Sequence, residues 1–122
     1  MNGILLLAAL VSLVIFFVHW LIGGIYAARP LLAAKDISPA SRWLNYLCWH
    51  IVTILLLIIT ATLGLAALGR ASADTVILVA VIAASSSILS VAVTLRAGIR
   101  PYRFPASYLL ATVAVLSTAG IL

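Results

Sequence analysis

Four long apolar runs occupy nearly the whole chain, and six of its seven basic residues fall in two of the three gaps between them. The runs extend from Ile4 to Ala27, Trp43 to Leu68, Val76 to Leu95 and Phe104 to Leu122. Each is close to the roughly 20 apolar residues a helix needs to cross a hydrocarbon core about 30 Å thick. Only 7% of the residues are charged, against about 25% in an ordinary soluble domain. Water cannot solvate such a surface, whereas a lipid bilayer can. Backbone polar groups in lipid are satisfied only inside helices or closed barrels. Barrels need short alternating segments, and these runs are continuous. The expectation is all-α: residues 1–122 as a single domain, a four-transmembrane-helix bundle running up-down-up-down.

The basic residues orient that bundle. Arg29, Lys35 and Arg42 lie in the first connection and Arg96, Arg100 and Arg103 in the third, but only Arg70 lies in the second, beside Asp74. Lys and Arg concentrate in cytoplasmic loops, so both termini are expected on the extracytoplasmic side. The first run is longer than a signal-peptide core and no Lys or Arg precedes it, so it reads as a retained helix. The net charge of +5 is accounted for by this bias. Loops so short have no fold with which to read bases, so no nucleic-acid partner is expected. Attraction to anionic headgroups is expected instead, at about 1 kcal/mol per basic residue near the surface.

The connections are punctuated by turn-forming residues. Pro30 and Pro39 are expected to break helicity in the first, with Asp36, Ser38 or Ser41 capping the second helix. Gly69 to Asp74 form the second turn, and Gly98, Pro101 and Pro105 shape the third connection. The single Cys48 cannot form an internal disulfide.

All ten aromatic residues fall toward the basic side, nine within the runs and Tyr102 in the third connection. Trp and Tyr usually mark both membrane interfaces, and a one-sided interfacial anchor covers Tyr26, Trp43, Tyr102 and Phe104. Trp20 and Trp49 sit deeper, each next in sequence to one of the two histidines. His19 lies eight residues before Ala27 and His50 eight after Arg42, so at 1.5 Å per residue both are about 12 Å from the basic face. Antiparallel neighbours would place both imidazoles in one layer.

Gly23, one turn after His19, opens space beside it, and Tyr46, His50, Thr53 and Thr60 share a helical stripe. Ser86 and Ser87 of the third run and Thr112 of the fourth reach the same layer. The expected site is a polar pocket open toward the cytoplasm, built from His19, His50, Trp20, Trp49 and Gly23 with Tyr46, Thr53, Ser86, Ser87 and Thr112. An ionisable group within a membrane helix is a functional-site hypothesis by default. The plain alternative is a neutral histidine hydrogen-bonded to the next helix, worth about 0.6 kcal/mol on average.

Three chemistries suit the pair. Haem b iron takes two axial histidines from facing helices, with His19 and His50 as metal ligands and Trp20 and Trp49 against the macrocycle. Imidazole also exchanges a proton near neutral pH, which suits a small homodimeric transporter. Structural zinc wants four ligands, which only a dimer would supply. No Asp or Glu lies in any run, which weighs against carboxylate-driven proton coupling, and no nucleophile has a positioned acid partner.

The segments Val18-His19-Trp20-Leu21-Ile22-Gly23, Arg29-Pro30-Leu31-Leu32 and Trp49-His50-Ile51-Val52-Thr53 resemble a group of short bacterial four-helix integral membrane proteins. That group carries a His before a Gly in helix one and a Trp-His pair followed by Thr or Ser in helix two. The chain departs from the pattern at Gly24, where a charged residue is expected. The resemblance covers the first two runs and implies a bacterial inner membrane but no activity.

The leading expectation is a non-enzymatic accessory or assembly subunit of a larger membrane complex, or a homo-oligomer. Ala80, Ala83, Ala84 and Ser87 would then let a partner helix approach the third run closely.

Overall fold

The computed structural model describes every residue from Met1 to Leu122. It is all-helical, with three helices long and apolar enough to cross a membrane and one shorter apolar helix. The first, α1, runs unbroken from Gly3 to Ala33 over 31 residues. The second, α2, is Pro39–Ala67; the third, α3, is Ala73–Arg96; the fourth, α4, is Pro105–Ala119, preceded by a 3₁₀ turn at Pro101–Arg103.

Local chemistry sets these boundaries. Asn2 caps α1, its side-chain oxygen accepting from Ile4 and Leu5 N–H at 3.1 Å each. Its side-chain nitrogen donates to Gly120 O at 2.7 Å, and its backbone N–H donates to Ala67 O at 2.8 Å. One residue thus ties the start of α1 to the ends of α2 and α4 and fixes both chain termini at the same end of the molecule. Ser38 caps α2 by accepting from Ser41 N–H at 3.2 Å, and Ser72 caps α3 by accepting from Thr75 N–H at 3.3 Å. Asp74 in the first turn of α3 and Arg96 in its last turn both complement the helix dipole. Gly69 (φ 71°) and Gly98 (φ 69°) turn the chain after α2 and α3, in the left-handed region that only glycine enters without strain.

Two expectations about the first connection need correction. Pro30 does not break the helix, and Pro39 begins one instead of ending it. Within α1, residues Val18–Ala28 adopt a π-helix of 11 residues, and Arg29–Ala33 return to α-helical geometry. The N–H of Arg29 reaches back five residues to Gly24 O. Pro30 follows directly on the change from π-helical to α-helical geometry, and such local π adjustment accommodates a missing N–H inside a continuous helix. Pro39 occupies the first turn of α2, where a missing N–H is tolerated.

The fourth helix is also shorter than its apolar run. Pro105–Ala119 has 15 residues, or about 22 Å, less than a bilayer core of about 30 Å. The 24 residues of α3 span about 36 Å. With α4 anchored at Gly120, its other end stops well short of the neighbouring helices.

Packing divides the molecule into two unlike halves. α1 lies between α2 and α4, and α3 packs on α4, while α2 and α3 meet only sparingly. The buried core joins Leu5, Ala8 and Ile15 of α1 to Ile59 and Leu63 of α2, Val76 and Ala83 of α3, and Val113 of α4. All of these lie toward the end that holds the termini. The Ser12 and Thr60 hydroxyls pair across α1 and α2 at 2.8 Å in the same half. Toward the basic end burial is sparse: Ala28, Ser87, Thr94 and Ser107 are the buried residues there.

Part of the small-residue stripe on α3 is used internally. Ala83 and Ser87 are buried, and Ser87 Oγ donates to Ser107 O of α4 while the Ser90 and Ser107 hydroxyls pair at 2.9 Å. Ala80 and Ala84 remain on an open groove between α3 and α4.

Candidate functional site

The histidine layer forms, but its two imidazoles do different things. His19 leaves the π-helical stretch of α1 and stacks on the Trp49 indole of α2, with ring centroids 3.8 Å apart and planes 18° apart. Its Nε2 lies 3.2 Å from Trp49 O and 3.1 Å from Thr53 Oγ1. The Thr53 hydroxyl is itself 3.0 Å from Trp49 O. A carbonyl oxygen only accepts, so Nε2 donates to Trp49 O in the tautomer protonated there, and in the other tautomer it accepts from the Thr53 hydroxyl.

Gly23 is what lets α1 approach so closely. A Cβ placed there would collide with the Trp49 indole. Its neighbour Gly24 has open space at the equivalent position, so the two adjacent glycines differ in what they permit.

His50 is exposed on α2 and meets the edge of the Tyr46 ring, with centroids 4.6 Å apart and planes 84° apart. It opens onto a cleft of about 380 Å³ between α1 and α2, together with Trp20, Gly24, Arg29, Tyr46 and Trp49. His19 opens onto another cleft, of about 450 Å³, at the foot of the short α4. Trp49 lines both and so forms part of the wall of each.

This arrangement does not suit haem between the two histidines. The Nε2 of His19 is engaged with Trp49 O and Thr53 Oγ1 of α2. The imidazoles also open onto different clefts instead of converging. Trp20 faces the His50 side and stacks with Phe16 at 6.0 Å, while Trp49 is occupied by His19.

The polar pocket is also smaller than expected. Tyr46 and Thr53 belong to it, one with each histidine. Ser86 is part-buried on α3, and Ser87 is engaged with α4. Thr112 is exposed, and its hydroxyl donates to Tyr108 O of its own helix at 3.0 Å. The expected layer assumed a closed bundle with every helix facing a common centre. Here α3 packs mainly on α4 and meets α2 only sparingly.

Two cations at the cleft mouths complete the site in a way the spacing did not suggest. Arg29 lines the His50 cleft and Arg103 the His19 cleft. The available signal was the Arg-Pro and Arg-Phe-Pro sequences that begin or precede helical turns. Compared with protein-family models, curated proteins and solved structures, the chain matches none.

Proposed function

We propose that this chain is a non-enzymatic integral protein of a bacterial inner membrane, an up-down-up-down bundle with both termini extracytoplasmic, acting as an accessory or assembly subunit. The orientation rests on the six basic residues of the first and third connections against one in the second. It is tested by cysteine labelling in a Cys48→Ala background with a membrane-impermeant maleimide. Leu122→Cys should label in intact cells and Lys35→Cys only after lysis; the reverse pattern would invert the topology.

The assembly role rests on one observation: His50 is exposed on α2 within the apolar run, with Tyr46 edge-on beside it. It lies about 16 Å from the start of α2. A polar ring at that depth is costly against lipid and is best covered by a polar group of a neighbouring helix. Interhelical hydrogen bonds of this kind contribute about 1–2 kcal/mol in model peptides. The half-open packing leaves the flank of α2 free for such a neighbour.

The test is isolation of the protein from native membranes in mild detergent, with and without His50→Leu. The wild type should migrate in a stoichiometric complex, with itself or with a larger membrane protein. His50→Leu should weaken that complex by fivefold or more, whereas Thr112→Val should not. A wild-type protein that stays monomeric and alone at native abundance would refute the assembly role.

A further inference from the structure

The geometry points to a binding site for one chain of an anionic phospholipid in the cleft at the foot of α4, with the lipid headgroup on Arg103. The inference depends on the orientation proposed above but not on the assembly role.

The cleft exists because the helices differ in length. α4 is about half the length of α1 and α2, and the 3₁₀ turn at Pro101–Arg103 that leads into it packs on α3 and α4, leaving Arg103 and Phe104 beside residues of α1 and α2 around the cleft. The resulting space of about 450 Å³ lies within the range of about 300–1,000 Å³ typical of small-molecule sites. Its walls are Ile15, Val18 and Ile22 of α1, Val52 and Leu56 of α2, and Leu109 of α4. Twelve of its 16 lining residues are hydrophobic, and the cleft is open to the surrounding medium, so its natural content in a bilayer is an acyl chain.

Charge selects the headgroup. Arg103 lines the cleft at the end where α4 begins. Arg42 and Arg100 commit side-chain donors to Ile37 O and Tyr102 Oη, whereas the guanidinium of Arg103 makes no hydrogen bond within the chain. Neither acidic residue, Asp36 or Asp74, lines the cleft. A guanidinium is a bidentate partner for phosphate, and basic pockets between membrane helices on the cytoplasmic side recognise anionic headgroups. Arg103 precedes the start of α4 at Pro105 by two residues, so the cation stands at the end of that short apolar helix. An anionic phospholipid can therefore meet Arg103 with its phosphate while its chain lies along α1.

The experiment uses the purified full chain in a zwitterionic detergent and native mass spectrometry of retained lipid. Phosphatidylglycerol and phosphatidylcholine of matched chains are compared, with glycerol phosphate as the headgroup-alone arm. The wild type should retain phosphatidylglycerol in preference to phosphatidylcholine, and glycerol phosphate should neither bind nor compete. Arg103→Gln should reduce the preference about fivefold, the factor equivalent to about 1 kcal/mol per basic residue, and Arg70→Gln at the opposite end should leave it unchanged.

Ala106→Phe, on the cleft wall, should lower retention of both lipids. Arg103→Gln is at an exposed position and leaves the core intact, so its result stands even where Ala106→Phe fails to fold. Equal retention of the two lipids, or an unaltered preference in Arg103→Gln, would overturn the site. Binding of glycerol phosphate alone would make it a phosphate site and not a lipid site.

Discussion

Replacing Gly23 with leucine should pry α1 from α2 and cost about 1–3 kcal/mol, the usual range for overpacking. A Cβ at this position would overlap the Trp49 ring, with Cζ2 and Cζ3 only 3.2 and 3.3 Å away. The indole meets Gly23 through its edge and has little freedom to yield, because its face is stacked on His19 at 3.8 Å. Displacing it also breaks the contacts of His19 with Trp49 O and Thr53 Oγ1, which adds roughly 0.6 kcal/mol for an average interhelical hydrogen bond. Unfolding in detergent, followed by tryptophan emission, measures the loss and should show a shifted native spectrum as well. Gly24→Leu is the matched control, since nothing lies within 4 Å of a Cβ there. Equal stability of Gly23→Leu and wild type would remove this close approach from the description of the site. Equal damage from both substitutions would show a general intolerance of side chains in the π-helical stretch.

The contrast between those two glycines shows where the sequence stops being legible. Hydropathy finds the four apolar runs, and turn residues place the connections, because both depend on composition near each position. Gly69 and Gly98 turn the chain where expected, and Ser38 is one of the three candidate caps. Facing is different, because it depends on accumulated rotation. Placing His19 and His50 in one pocket assumed 3.6 residues per turn throughout α1, but from Val18 onward the bonds reach back five residues. The imidazole layer survived that change, since depth varies slowly with pitch. The shared pocket did not, since direction varies quickly.

The fourth run misled for another reason. Hydropathy counts Phe104, Gly120, Ile121 and Leu122 as apolar regardless of conformation, whereas the helix proper ends at Ala119 and begins at Pro105. The shortfall opens the cleft beneath α4 and brings Arg103 to its edge. Nothing in the pattern of Ser86, Ser87 and Thr112 announced that α3 would pack mainly on α4. That outcome depends on which pairs of surfaces fit best, and Ser87, Ser90 and Ser107 fit each other.

Leu63→Ala should destabilise the closed half by about 2 kcal/mol, at the low end of the range for buried Leu→Ala changes. Leu63 is 0% exposed in the core. In water such a substitution loses both transfer free energy and packing. In a bilayer the separated helices remain in a medium as apolar as leucine, so the transfer part largely vanishes. What remains is dispersion lost around the cavity, which small core residues such as Ala8 and Ala83 cannot fill without moving whole helices. Leu78→Ala, at a position 64% exposed on α3, exchanges contacts with lipid for other contacts with lipid and should cost less than about 0.5 kcal/mol. Reversible unfolding in mixed micelles separates the two, and comparable losses would contradict the placement of the core. Because Leu63 is remote from Arg103 and His50, its effect should add to theirs without interaction. Stability and binding then reside in opposite halves of the chain, and a Leu63→Ala protein that still folds should retain anionic lipid as the wild type does.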